Sequence, residues 1–174
     1  MVLKDPLTQK QQEKVIEISK KIGNYEGINA YHLTMFFLKT GIHPWVLANK
    51  QKSSIKTTED DHLQWSRPKK KGGFALTRVK ISKDLKPWVY DFILQEFPNY
   101  REWYWGFCKK LGKKVGISEM SPMSFRHTFG ANLDDMGFTP SEIQSLMNCS
   151  LPVLMRYTKR SERETDKKLE EKDW

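Results

Sequence analysis

Arg126 stands in Phe125-Arg126-His127-Thr128-Phe129, and the two flanking phenylalanines predict a largely buried stretch. A guanidinium taken out of water requires an anionic partner, so Arg126 points to a bound negative group rather than to a solvated helix face. His127 beside it reads either as a histidine that holds the helix in place or as a second phosphate contact. A cluster of cations, Arg67-Pro68-Lys69-Lys70-Lys71-Gly72-Gly73, joins two runs of alternating polarity. Such a cluster is a solvated turn or a set of phosphate-facing groups, and the residue types alone do not choose among the three lysines. Farther on, Tyr157 lies between Arg156 and Thr158, 31 residues after Arg126 (157 − 126). By itself it fits an amphipathic helix; its interest lies in the ordered set to which it belongs.

The totals favour an anionic partner. Lys and Arg number 30 against 21 acidic residues, a formal net charge of +9, which points to nucleic acid first and an acidic membrane surface second. Cys108 and Cys149 are not in a CxxC pair, which predicts a reducing, cytoplasmic setting without a structural disulfide. His32, His43, His62 and His127 lack the short paired spacing of metal sites, so neither a metal nor another cofactor is expected. The longest apolar run, Leu33 to Leu38, is too short to span a bilayer, and no signal-peptide h-region precedes it. No membrane association is expected.

The elements that must position these residues read mostly as helices. Thr8 caps a helix over 8–22 that Gly23 ends, and a second helix is predicted over 25–40, ending at Gly41. Pro44 opens a short turn or helix through Ala48. His62 to Ser66 and Phe74 to Ile81 alternate as strands of a β-hairpin or of a small antiparallel sheet. Further helices are predicted over 84–96, the aromatic-rich 99–111, 121–136, 140–147 and 151–158, with Ser121-Pro122 and Thr139-Pro140 as starts. The Tyr100 to Phe107 cluster reads as core or interface. The expected fold is mainly α with a small antiparallel β-sheet (α+β): one domain over 1–158 and a charged tail over 159–174. The tail holds six basic and six acidic residues and reads as a solvated helix or a disordered arm.

Residues 121–159, SPMSFRHTFGANLDDMGFTPSEIQSLMNCSLPVLMRYTK, resemble the C-terminal boxes of the tyrosine recombinases (phage-integrase family). Phe125 to Phe129, Gly137, Ile143-Gln144 and Arg156-Tyr157-Thr158 follow the family order. Thr40-Gly41-Ile42 resembles the family's T-G-[LM]-R box, and Arg67-Pro68-Lys69 its R-[PT]-K form. The resemblance runs from about residue 25 to 158 and implies the tyrosine recombinase catalytic-domain fold. The separate N-terminal DNA-clamping domain that most members carry is outside it.

What the resemblance implies is metal-free phosphoryl transfer. The Tyr157 oxygen would attack the scissile phosphate and leave a 3′-phosphotyrosyl link, with Arg126 clamping the phosphate and Lys69 protonating the leaving 5′-oxygen. Arg67, Lys70, Lys71, His127 and Arg156 would contact double-stranded DNA. The family's first arginine falls at His43, its box histidine at Met123, and its later His or Trp at Asn148; His43 and Asn148 remain candidate hydrogen-bond donors, whereas Met123 cannot carry a proton. The expectation is an integrase or resolvase of a virus or plasmid, nucleoid-associated, monomeric in solution and tetrameric on DNA, with the tail passed to a neighbour. The alternatives are a catalytically degenerate recombinase relative acting as a DNA-binding regulator, and a helical protein-interaction module.

Overall fold

The computed structural model describes residues 6–49, 55–68, 72–94 and 98–155. Lys69, Lys70, Lys71, Arg156, Tyr157 and the tail lie outside the described residues, as do the C-terminal parts of the helices expected over 84–96 and 151–158.

Helix α1 (Gln9–Ile22) begins where the sequence predicts. The Thr8 hydroxyl accepts from the Gln11 amide while the Gln11 side chain accepts from the Thr8 amide at 2.9 Å, a reciprocal capping box. Gly23 ends the helix at φ 69°. The next stretch departs from expectation. Instead of a helix from residue 25, Asn24–Tyr25 (β1) pairs antiparallel with Ile28–Asn29 (β2) around Glu26 and Gly27, both at positive φ. Two consecutive left-handed residues make a tight hairpin turn, which stops a helix from starting there. Helix α2 (Ala30–Thr40) follows, and Asn29 caps it by accepting from the His32 amide at 2.9 Å.

After the short α3 (Pro44–Ala48), three strands form one antiparallel sheet in the order β3 (Ile55–Thr57), β4 (His62–Pro68), β5 (Phe74–Lys80). The expected pair β4–β5 is present, with Trp65 opposite Thr77 and Ser66 opposite Leu76. β3 is an addition, since three residues carry too little alternation to be read. Along β5, Ala75, Thr77 and Val79 face inward and Phe74, Leu76, Arg78 and Lys80 outward.

Helices α4 (Lys86–Leu94), α5 (Arg101–Val115), α6 (Pro122–Asp135), α7 (Pro140–Met147) and α8 (Leu151–Leu154) complete the described residues. The aromatic-rich helix thus starts two residues later than predicted and runs four residues farther. Its Trp103, Tyr104 and Phe107 are buried, as a core role requires. α6 is the central element, buried along most of its length and packed on α2, α5 and α7. Phe125 of α6 stacks on Phe37 of α2 with ring centroids 5.6 Å apart, and Tyr104 of α5 meets Phe37 edge-on. Each such aromatic pair adds about 1 kcal/mol beyond its burial. Polar ties fix the rotation of α6: Thr128 accepts from the Leu7 amide at 2.9 Å, and Gln12 and Asn132 exchange amide hydrogen bonds.

Candidate active site

The site is assembled around Arg126, which the locked rotation of α6 aims at the ends of two other helices. Only 6% of the residue is exposed. Its guanidinium donates to the Gly41 carbonyl at 2.6 Å and to the Met147 carbonyl. Those oxygens lie at the C-termini of α2 and α7, the negative ends of their helix dipoles. The partner expected for a buried guanidinium thus includes two helix-end carbonyls, and the cation ties together the turns that follow α2 and α7.

Both turns depend on left-handed backbone. Gly41 ends α2 at φ 56° and donates to the Phe37 carbonyl at 3.0 Å. A Cβ here would come within 2.2 Å of the Phe129 ring, so position 41 excludes a side chain by contact as well as by conformation. Asn148 ends α7 at φ 46°, the cap geometry that asparagine tolerates better than other side-chain residues. Its side-chain amide nitrogen is shielded from solvent. Arg126 therefore brings Gly41, two residues before His43, to Met147, the neighbour of Asn148.

His43 caps α3: its Nδ1 accepts from the Trp45 amide at 3.1 Å. Nδ1, accepting this bond, is committed to the helix cap and is not a donor to a ligand. His43 also lines a hollow of about 380 Å³ with Trp45, Asn49, Arg101, Trp105 and Met123. Met123 lies three residues before Arg126 on α6, and His43 two residues after Gly41, so the hollow and the Arg126 junction share two segments of the chain. His127, 7% exposed, is buried alongside. Arg67 belongs to β4, its backbone opposite Ala75 of β5.

Two nucleophiles of α5 are disabled by burial. The Tyr104 phenol is pushed far above its ordinary range by desolvation and donates to the Pro98 carbonyl at 2.6 Å. Burial likewise raises the Cys108 thiol, and a thiol held protonated is inert. Among the described residues, no group of three or more His, Cys, Asp and Glu is placed to hold a metal ion, and no helix is long and apolar enough to cross a membrane.

Trp45, Arg101 and Trp105 were not anticipated as site residues. The available signal was the four-residue spacing of Arg101 and Trp105 in a helix-start context, which places them on one face but does not say what they face.

No protein-family model matches the sequence, and comparison with curated proteins finds none similar to it. Solved structures do match. A DNA-bound integrase of the Tn1549 transposon superposes with a TM-score of 0.64 at 18% identity, covering 95% of this chain and 67% of that one. The site-specific recombinase XerH, bound to its difH substrate after cleavage, gives 0.66 at 18% identity, covering 94% and 53%. XerA recombinase gives 0.66 at 17%, covering 94% and 64%. The chain thus spans about half to two thirds of these proteins. Almost all of it superposes on them, and the chain has the fold of a tyrosine recombinase catalytic domain.

Proposed function

We propose that the chain cuts and rejoins duplex DNA as a site-specific tyrosine recombinase, an integrase or resolvase. The observation that carries this reading is the Arg126 junction: a buried guanidinium draws the turn before His43 and the turn at Asn148 together. These are two of the positions at which the sequence resemblance seats phosphate-binding groups.

In the proposed step the Tyr157 oxygen bonds to the scissile phosphorus, and the bond to the 5′-oxygen breaks. Lys69 gives the proton that the departing 5′-oxygen takes up, and a 3′-phosphotyrosyl link conserves the bond energy for religation. The transition state gathers negative charge on its equatorial oxygens, where Arg126 opposes it. His43 adds a hydrogen-bond donor and Asn148 an amide. Met123 has no acceptor for the phenol proton, which then passes to water. Arg67, Lys70, Lys71, His127 and Arg156 grip the flanking backbone, and tetramers form on the DNA from monomers, with the 159–174 tail reaching a neighbour. The host element is a virus or plasmid, and the work is done in the cytoplasm at the nucleoid.

A second reading is favoured by a specific observation: the hollow carries Met123 where a proton carrier is wanted, and its histidine is engaged as a helix cap. On that reading the chain binds DNA without cutting it. The test is covalent trapping. Protein is incubated with supercoiled plasmid and quenched with detergent, beside Tyr157→Phe. Protein-linked, relaxed DNA that disappears with Tyr157→Phe supports the recombinase. Salt-sensitive binding with no linkage, on native target DNA as well, supports the regulator.

A further inference from the structure

We propose that Arg101 is a phosphate-binding residue of this site, supplying from α5 the guanidinium that position 43 lacks; the proposal rests on the reading that the site takes a DNA phosphodiester. The charge requirement comes first. A phosphoryl transition state is stabilised by fixed cations on its equatorial oxygens. The His43 and Met123 side of the site brings no guanidinium: the Nδ1 of His43 is engaged by the Trp45 amide, and Met123 is a thioether. Arg101 lies in the same hollow.

Its placement is defined. As the first residue of α5, Arg101 sits one helical turn before Trp105, and its guanidinium carbon lies over the Trp105 ring, 4.2 Å from the centroid. Stacking against an aromatic face restrains a long side chain and leaves its N–H edge for a ligand. Among the described residues, neither an ion pair nor a hydrogen bond engages the Arg101 guanidinium. α5 packs against α3, which keeps Arg101 beside His43 across 58 residues of sequence (101 − 43). Trp45 and Asn49 form the remaining wall. The ligand is a phosphodiester of backbone DNA: a fork of N–H donors fits two phosphate oxygens, which an ammonium does not.

The experiment uses the full chain, with Arg101→Ala, Arg101→Lys and Lys113→Ala at the far end of α5 as the control for loss of a surface charge. Thermal unfolding of each variant establishes that the fold is kept. Affinity for a mixed-sequence duplex oligonucleotide is measured across salt concentration, and Tyr157-linked plasmid DNA is followed in time. Arg101→Ala should reduce the slope of log affinity against log salt by about 0.9, one phosphate contact. It should slow covalent linkage by about a hundred- to a thousandfold, as loss of one fixed donor does in comparable sites. Arg101→Lys should keep the slope yet not restore the rate. An unchanged slope in Arg101→Ala, or a slope that falls equally in Lys113→Ala, overturns the proposal. If the wild-type chain forms no linkage, the recombinase reading fails, and the salt slope alone still decides whether Arg101 meets phosphate.

Discussion

The two arginines of the site are held in opposite ways. Arg126 is buried, and its charge is met by carbonyl oxygens at the ends of α2 and α7. Arg101 is exposed and rests on the Trp105 ring. The first is part of what holds the helices together, so structure and ligand binding cannot be separated there. The second can be removed without leaving a buried polar group unsatisfied. The proposed phosphate site would thus have one cation fixed by the fold and one that the fold only displays. The fold-fixed cation tolerates little change, whereas the displayed one can be altered with the protein still standing.

Breaking the first member should have the largest effect. Arg126→Ala leaves two helix-end carbonyls without their donor and opens a cavity, which should lower stability by about 3 kcal/mol and abolish covalent linkage to DNA. Urea unfolding measures the first and detergent trapping the second. A fully stable Arg126→Ala variant would mean that the two carbonyl bonds contribute little, and the contrast with Arg101 would collapse.

Gly41→Ala attacks the same junction from the backbone. The new methyl would meet Phe129 in a left-handed conformation, at a cost of about 2–3 kcal/mol. Pairing it with Phe129→Leu should recover part of that loss, and a double-mutant cycle in urea reads the coupling.

Asn148 sharpens the comparison, because its backbone and side-chain roles can be separated. Asn148→Gly keeps the left-handed cap and should change stability by less than about 0.5 kcal/mol, while Asn148→Val should cost about 1–2 kcal/mol. If the amide also contacts phosphate, Asn148→Gly slows linkage without lowering the melting temperature. Equal stability of the glycine and valine variants would remove the cap from the account.

The opposite end of α2 provides the smallest effect and a control remote from both arginines. His32 stands against the Tyr31 and Trp88 rings, and desolvation holds its imidazole below the ordinary histidine range. Between the unfolded value, about 6.5, and the lower folded one, the unfolded chain binds a proton that the folded chain refuses. This contribution to stability is therefore fully present above the unfolded value and is lost as pH falls through that value toward the folded one. His32→Leu should flatten the stability profile in that window and leave DNA affinity at neutral pH unchanged. A pH profile identical to the wild type would show that the ring is solvated after all.

Much of the architecture was written locally. Thr8, Ser121-Pro122 and Thr139-Pro140 each begin a helix because a cap or a proline acts on amides within one turn. The alternation in 62–68 and 74–80 gave the β4–β5 pair. Where the reading failed, the information was short or distant. The 24–29 hairpin is set by two residues at positive φ at the start of the helix expected over 25–40, and β3 is too short to show a period.

For the candidate site, the sequence by itself determined which residue types stand in which order: an arginine in an apolar stretch, a basic cluster between two alternating runs and a tyrosine, in an order that resembles a known family. Residue type and spacing are local properties, and a chain carries them before it folds. Only the tertiary structure decided what Arg126 bonds to, that His43 is a helix cap, and that Arg101 shares a hollow with it. The physical reason is that these relations depend on packing between α2, α3, α5, α6 and α7. Segments far apart along the chain meet there only because a common core brings their ends together.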